Sequence, residues 1–256
     1  MRHLCKFETE NEYLEEKDNF IYPNVSYVVE GDLVYYMSAS NYEFVDLGLP
    51  SGLKWATCNV GATQPYESGL YFAWGEDKGY AVAKGDILDA SSGVYAATIT
   101  NADGTETTKT FAQDLSDYEH WDGSKFTKYH DASVVTLDTE DDGCYVAEKT
   151  MRMPTKEDCQ ELIDNTTSEW VADYNESGVS GRVFTSNING NSIFVPAVGD
   201  VFDGVLNFFG LLGAFWSSSL YSDFVESAFF LGFGEDVLGV GFDGRFFGLP
   251  LRGVCP

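Results

Sequence analysis

Basic residues are scarce in this chain of 256 residues. It carries 15 lysines and arginines against 41 aspartates and glutamates, which gives a formal net charge of -26, and the basic residues form no cluster. Proteins that bind nucleic acid or anionic membranes need a basic footprint. We therefore expect neither partner, and we expect a soluble chain with an acidic surface.

Long apolar runs are also missing. No segment approaches 18 uncharged apolar residues, the minimum for a membrane-spanning helix. The N-terminal residues carry acids where a secretory signal needs an apolar stretch. The sequence thus predicts no membrane insertion and no signal peptide.

Cysteine and histidine are few and unclustered. The five cysteines lack the C-x-x-C spacing of a zinc site, and no second ligand accompanies His120 or His130. We expect reduced thiols and no bound metal. A bridge between Cys58 and Cys255 stays open, because sequence does not give connectivity.

Motifs for chemistry are absent as well. There is no G-x-S-x-G elbow and no phosphate-binding loop, and Gly232-Phe233-Gly234 lacks the third glycine of a dinucleotide fingerprint. Ser217-Ser218-Ser219 is more typical of a strand than of a nucleophile. Glu140-Asp141-Asp142 could ligate Ca²⁺, but without EF-hand spacing it favours a solvated acidic turn. We expect no catalytic residue and no cofactor.

Phenylalanine near the C-terminus is what the chain has in abundance. Eleven of its 19 phenylalanines lie between Phe202 and Phe247, and six of these form three adjacent pairs. Neighbours on a strand point to opposite faces of the sheet, so one ring of each pair should face outward. Two interpretations stand: a surface built for contact, or a three-layer β core with both faces covered.

Residues 1–40 are predicted to form a small separate module. Phe7, Tyr13 and Leu14 fit a short amphipathic helix, and 25–30 and 33–37 fit two strands joined at Gly31-Asp32. An isolated hairpin is marginal in water, so this module should pack on another part of the protein or on a neighbouring subunit.

The section from 42 to 129 shows little periodicity. Residues 42–76 alternate short β-type runs with glycine and proline, and we expect Trp55 and Trp74 in the core. Residues 78–129 are polar and predict a surface excursion, with a hairpin of 94–100 and 105–111.

A helix is predicted after Pro154. Thr155 is a good N-cap with Asp158 at the capping-box position, and Cys159, Leu162 and Ile163 form one apolar stripe. Two strands then follow, 183–186 and 192–195, joined by a turn at Asn189-Gly190.

Several passages together resemble one protein family. They are VDLGLPSGLKWATCNVGA, YFAWGE, RMPTKEDCQELID, GNSIFVPAVG, FWSSSLY and the ending LRGVCP. This ordered set resembles the Fibrobacter succinogenes major paralogous domain of Bacteroides-type bacteria and their phages, over residues 42–256. The resemblance implies an α+β domain at 41–256 with the C-type lectin-like fold of the formylglycine-generating-enzyme-like branch, with small twisted antiparallel sheets, few helices and much loop.

The departures from that family are concentrated near the C-terminus. Phenylalanine, leucine, valine and glycine stand where the family usually has tyrosine, asparagine and serine, while some positions keep the family scaffold. The alternation resembles the variable proteins of diversity-generating retroelements. Cys255 has no neighbouring cysteine, unlike the enzyme branch of the fold, so the resemblance favours a binding scaffold. The scaffold positions are Ala228, Leu231, Phe233, Arg245, Gly248 and Arg252.

The resemblance implies a receptor-binding or adhesin-like protein that is not an enzyme. Its hypervariable C-terminal face, about 199–249, would bind a protein or glycan on a cell surface, in a phage virion or tail. Otherwise the protein would be cytoplasmic or exported by a non-classical route. The alternatives are an assembly module whose aromatic face is a homo-oligomer interface, and a glycan-active enzyme using a carboxylate pair. The residues expected on the face are Asp200, Phe202, Phe208, Phe209, Leu211, Leu212, Phe215, Phe224, Val225, Glu226, Phe229, Phe230, Gly232, Gly234, Leu238, Val240, Phe242, Gly244, Phe246 and Phe247.

Overall fold

The computed structural model describes residues 42–82, 109–131 and 133–256 in full, and the backbone alone of 6–7, 25–30, 33–38, 83–89 and 94–100. The chain folds as two units, Met1–Glu43 and Phe44–Pro256. No helix among the described residues is both long enough and apolar enough to span a membrane.

The first unit contains a three-stranded antiparallel sheet. Its strands are β1 (Lys6–Phe7), β2 (Val25–Glu30) and β3 (Leu33–Ser38), in the order β1-β3-β2. The predicted hairpin is confirmed, because Glu30 pairs with Leu33 and Val25 with Ser38. Phe7 lies on a strand and not on the predicted helix, since it pairs with Val34. The rest of that predicted helix lies outside the described residues.

The second unit is mostly β structure with few helices, which places it in the α+β class. Its described helices are α1 (Gly143–Ala147) and α2 (Lys156–Asn165), with single 3₁₀ turns at Thr139–Asp141 and Tyr174–Glu176. Its described strands are β4 (Phe44–Asp46), β5 (Lys54–Ala56), β6 (Leu70–Phe72), β7 (Tyr80–Asp89), β8 (Val94–Thr100), β9 (Thr166–Val171), β10 (Gly181–Ser186), β11 (Ser192–Pro196), β12 (Asp200–Phe202), β13 (Val205–Asn207), β14 (Gly213–Leu220), β15 (Ser227–Phe233), β16 (Leu238–Gly244), β17 (Leu249–Pro250) and β18 (Val254–Cys255).

The described strands of this unit form four antiparallel sheets. A six-stranded sheet has the order β12-β13-β8-β7-β6-β17, and the three-stranded sheets have the orders β11-β10-β9, β14-β15-β16 and β18-β5-β4. Gly199 and Gly213 form a bridge that joins the start of β12 to the start of β14. The six-stranded sheet and the β14-β15-β16 sheet therefore meet at this point.

Helix α2 covers the inner face of the β14-β15-β16 sheet. The capping box forms as predicted: the Thr155 hydroxyl accepts from the Asp158 amide and the Asp158 carboxylate accepts from the Thr155 amide. Cys159 and Leu162 are fully buried in one core cluster with Phe184 and residues of the sheet. Each such apolar side chain contributes about 1.5–3 kcal/mol on burial, so this contact fixes the sheet on the helix.

A second core surrounds Arg245, whose side chain is fully buried without a carboxylate partner among the described residues. Its guanidinium donates to the carbonyls of Tyr129, Val225 and Lys128 and to the Tyr118 hydroxyl. The guanidinium carbon also lies 4.4 Å from the centroid of a phenylalanine ring, that of Phe126. Carbonyl dipoles and ring faces thus solvate this charge, as cation–π geometry allows.

The prediction that 78–129 is a surface excursion is wrong for much of its length. Strands β7 and β8 lie within the six-stranded sheet, and Phe111, Tyr118, Phe126 and Tyr129 are buried. These rings pack from irregular loop, so they show no strand or helix period in the sequence. Strand β8 has β7 and β13 as neighbours, and most of the predicted partner strand 105–111 lies outside the described residues.

Candidate ligand-binding surface

The β14-β15-β16 sheet carries most of the candidate surface. On β15, Phe229, Leu231 and Phe233 lie on the inner face of the sheet. Ala228, Phe230 and Gly232 alternate with them and lie on the outer face. The pairing carries this division across to β16, because Phe242 is opposite Phe229 and Gly241 is opposite Phe230. Phe229 and Phe230 therefore belong to different surfaces.

The scaffold positions and the positions expected on the face differ in burial. All six scaffold positions are buried, and most of the positions expected on the face are half-buried or exposed. The inner-face scaffold residues Leu231 and Phe233 pack against α2, while Arg245 is held in the second core. Substitutions at the exposed positions, such as Phe224 and Phe242, would therefore leave the main packing contacts in place. The buried scaffold residues are Ala228, Leu231, Phe233, Arg245, Gly248 and Arg252.

Four aromatic residues form a cluster at the end of the sheet, here named the aromatic cluster: Tyr221, Phe224, Phe229 and Phe242. The ring centroid of Tyr221 lies 4.2 Å from that of Phe242 and 5.1 Å from that of Phe229. Phe224 is 60% exposed and Phe242 is 52% exposed. The ammonium of Lys156 lies 4.6 Å from the Phe229 centroid and is a cation–π contact. The aromatic cluster thus presents rings to solvent in the free chain.

A pocket of about 260 Å³ opens on the outer face, where β12 approaches β14 and β15. Ala214 and Gly232 are opposite one another in the sheet and leave room at its floor. A Cβ added at Gly232 or Gly241 would come within 2.8 Å of the Phe230 ring, so glycine at these positions lets that ring lie close to the sheet. The pocket is lined by Gly199, Asp200, Phe208, Leu212, Gly213, Ala214, Phe230, Gly232, Phe233, Val237, Asp243, Phe247 and Leu249.

Two carboxylates share this pocket. Burial raises the pKa of Asp200 to about 6, and the negative charge of Asp243 adds to the rise, although the Asn207 amide donates to Asp200. Partial burial also raises the pKa of Asp243, whose carboxylate accepts from the Gly244 amide. The raised pKa of Asp200 means that its ionised form is poorly solvated there, whereas Asp243 is exposed to solvent.

Phe208 stands at the pocket in a strained backbone conformation. Its φ is 55°, in the left-handed region that bulky residues rarely adopt, and its side chain is 42% exposed. The carbonyl of Phe208 accepts from the amides of Leu211 and Leu212, which holds the turn. Its neighbour Phe209 packs against both cores. Phe208 therefore points outward and Phe209 inward, but both lie in a turn after β13, so the strand alternation that predicted one outward ring per pair does not apply here.

A third group of rings adjoins the pocket. The Phe247 ring stacks on Phe202 with centroids 4.7 Å apart, and the centroid of Phe246 lies 5.2 Å from that of Phe247. All three are half-buried. Because Phe247 also lines the pocket, these rings connect it to the neighbouring surface of β12.

Two residues expected on the face lie inside the protein. Phe215 is 3% exposed and stacks on Phe233 in the core, because it is opposite Leu231 on the inner face. Gly234 is buried where its carbonyl accepts from Arg182. Leu238 and Val240 are half-buried and pack against the α2 core, away from the pocket.

The other expected face residues are at least partly accessible. Phe208, Leu211, Phe224, Glu226 and Phe242 are exposed, and the rest are half-buried. The half-buried ones are Asp200, Phe202, Phe209, Leu212, Val225, Phe229, Phe230, Gly232, Gly244, Phe246 and Phe247.

Four accessible residues of the surface lie outside the predicted set: Ala214, Tyr221, Val237 and Asp243. Tyr221 ends the FWSSSLY passage, and Val237 and Asp243 stand among glycines and acids that give no distinct pattern. Alternation along β16 is the signal that could have found Asp243, since it follows Phe242 and must face the other side.

The serines and cysteines considered in the sequence as reactive groups have structural roles or are free thiols. The Ser217 hydroxyl donates to the Phe229 carbonyl and the Ser219 hydroxyl accepts from the Lys156 amide, which confirms a strand role for this run. The four described cysteines, Cys58, Cys144, Cys159 and Cys255, are free thiols, so Cys58 and Cys255 are not bridged.

The prediction of a solvated acidic turn holds for Glu140, which is exposed, and is wrong for Asp141 and Asp142. Asp141 accepts from Lys128 and from the Tyr129 hydroxyl, and Asp142 caps α1 and accepts from the Met153 amide. Both carboxylates are therefore buried and held by internal hydrogen bonds. Among the described residues no group of three or more His, Cys, Asp or Glu side chains could hold a metal ion.

No protein family, curated protein or solved structure matches this chain. The family resemblance seen in the sequence therefore stays a prediction.

Proposed function

We propose that this chain is a non-enzymatic binding protein that displays its C-terminal surface, within 199–249, to a protein or glycan on a target cell. The surface combines the aromatic cluster, the pocket and the rings around Phe247. In this proposal the second unit has a C-type lectin-like fold, the surface is diversified by a retroelement, and the protein belongs to a phage particle or its Bacteroides-type host.

The separation of burial between 224 and 252 carries the proposal. The six scaffold positions are buried, while Phe224 and Phe242 remain more than half exposed. Exposed aromatic clusters on a soluble chain usually mark contact sites, and binding energy concentrates in a few such anchors. A surface of this kind tolerates change because its supporting contacts lie beneath it.

A homo-oligomer interface is the second candidate function. The same exposed rings support it, because apolar faces of this kind are also buried between subunits. Light scattering of the purified chain separates the two, since an interface predicts a stable oligomer that Phe224→Ser with Phe242→Ser returns to monomer. An unchanged chain that is monomeric and binds cells supports the receptor-binding function.

The direct test is binding of fluorescently labelled protein to a panel of intact Bacteroides-type cells. Phe224→Ser with Phe242→Ser should abolish binding to the cell type that the unchanged chain recognises. Val135→Ser with Ile188→Ser is the matched control, because both side chains are 58% exposed and lie outside the surface. Equal binding by all three proteins, or no binding to any cell type, would contradict the proposal.

A further inference from the structure

The two pocket carboxylates have no cationic partner among the described residues. Five ion pairs join those residues, and neither Asp200 nor Asp243 takes part in any of them. Asp200 accepts from an amide side chain and Asp243 from a backbone amide. The pocket thus concentrates negative charge that the described part of the chain leaves uncompensated.

The rest of the pocket lining is apolar. Asp200 and Asp243 are its two polar side chains, and the others are glycine, alanine, leucine, valine and phenylalanine. Rings of Phe208, Phe230 and Phe247 contribute to the wall. Aromatic faces attract cations, and lysine and arginine bury their apolar stems while the charged head finds polar partners.

The size of the pocket limits what it can hold. A volume of about 260 Å³ is below the roughly 300–1,000 Å³ of sites for drug-sized ligands. It suits one side chain better than a ring system or an oligosaccharide. A sugar would also bring several hydroxyl groups, which the apolar wall could not pair by hydrogen bonding.

We propose that this pocket receives one basic side chain, lysine or arginine, from a protein partner, with Asp200 and Asp243 as counter-ions and the phenylalanine rings around its stem. This rests on the proposed binding function and names the partner class as protein. The pocket then adds a charged anchor on the outer face of the sheet, while the aromatic cluster supplies apolar contacts on the other face.

The test uses blocked amino acids and the full chain. N-acetyl-arginine and N-acetyl-lysine methylamides are titrated against methyl-labelled protein, with the N-acetyl-norleucine methylamide as the uncharged probe. We expect saturable shifts of the Leu212, Ala214 and Val237 methyl resonances with a basic probe, and none with norleucine. Asp200→Asn with Asp243→Asn should weaken that binding by about tenfold or more, because a partly desolvated charge contact is lost.

The control removes two negative charges outside the pocket. Asp77→Asn with Asp223→Asn changes exposed residues outside the pocket and should leave the affinity within about twofold, since exposed charges are screened. The inference is overturned if norleucine binds as well as the basic probes, if both double variants bind alike, or if no basic probe saturates. Saturable shifts from monosaccharides in place of the basic probes would assign the pocket to a glycan and overturn it too.

The cell-binding assay distinguishes failure of the pocket inference from failure of the proposed function. If the probes fail while cell binding persists and depends on Phe224 and Phe242, the pocket inference alone is lost. If the basic probes bind in the pocket but no cell type is recognised, the cell-surface function is lost and the pocket assignment stands.

Discussion

Phe229 and Phe230 are neighbours on β15, and their rings serve opposite faces of the same sheet. Phe229 contacts Tyr221 in the aromatic cluster, with centroids 5.1 Å apart, whereas Phe230 packs edge-on to Trp216 and lines the pocket. One short strand thereby supplies a ring to each of two surfaces. A partner large enough to reach around the end of this sheet would contact both.

The strain at Phe208 gives the first prediction. Phe208→Gly should be more stable than Phe208→Ala by about 1–2 kcal/mol, because both lose the ring but only glycine is free of the left-handed penalty. Urea unfolding of the two variants measures the difference. Matching midpoints would show that the backbone at this residue carries no such penalty. Both variants should bind cells less well than the unchanged chain.

Stability should depend on pH through Asp200. Its carboxyl has an ordinary pKa of 3.8 when unfolded and about 6 when folded, so the folded state binds the proton more tightly. Below pH 3.8 both states are protonated and the residue has no effect, and above pH 6 its full destabilising effect is present. Asp200→Asn should therefore raise the free energy of unfolding above pH 6, by at most about 3 kcal/mol.

Denaturant titrations between pH 4 and pH 7 check this behaviour. Besides burial, the groups that act on the pKa of Asp200 are Asn207 and Asp243, so Asp243→Asn should reduce the pH dependence without removing it. A constant difference between Asp200→Asn and the unchanged chain across this range would refute the assignment.

Arg245 should not tolerate replacement by lysine. Lysine cannot reach three carbonyls and a hydroxyl at once, so Arg245→Lys should lower the free energy of unfolding by about 3 kcal/mol or more. The matched control is Arg152→Lys, because Arg152 forms a partly exposed pair with Asp158. The control should change stability by less than about 1 kcal/mol. Similar losses at both sites would argue against the caged arginine.

The cap of α2 gives a smaller and local prediction. Thr155→Ala removes the hydroxyl that accepts from the Asp158 amide and should cost about 1 kcal/mol. Thr150→Ala is the comparison, because Thr150 is exposed and lies outside the helices. Thermal unfolding of the two variants should show a lower midpoint for Thr155→Ala alone.

The sequence by itself determined the local structure where signals were strong and short-range. The cap at Thr155, the strands around Asn189-Gly190 and the burial of Trp55 and Trp74 followed from spacing and residue type. The net charge of -26 likewise follows from the composition, whatever the fold. The cap and the turn depend on contacts between residues that are close in the chain. The burial of the tryptophans depends on residue type, and the charge depends on no contact.

Only the tertiary structure decided which phenylalanines are exposed. Phe215 and Phe224 are equally apolar, yet Phe215 lies under α2 while Phe224 lies at a loop between strands. The pocket required β12 to meet β14 at Gly199 and Gly213, which brings Asp200 to the outer face that carries Asp243. The burial around Arg245 likewise gathers loops far apart in sequence, and such long-range packing leaves no period in the sequence to detect.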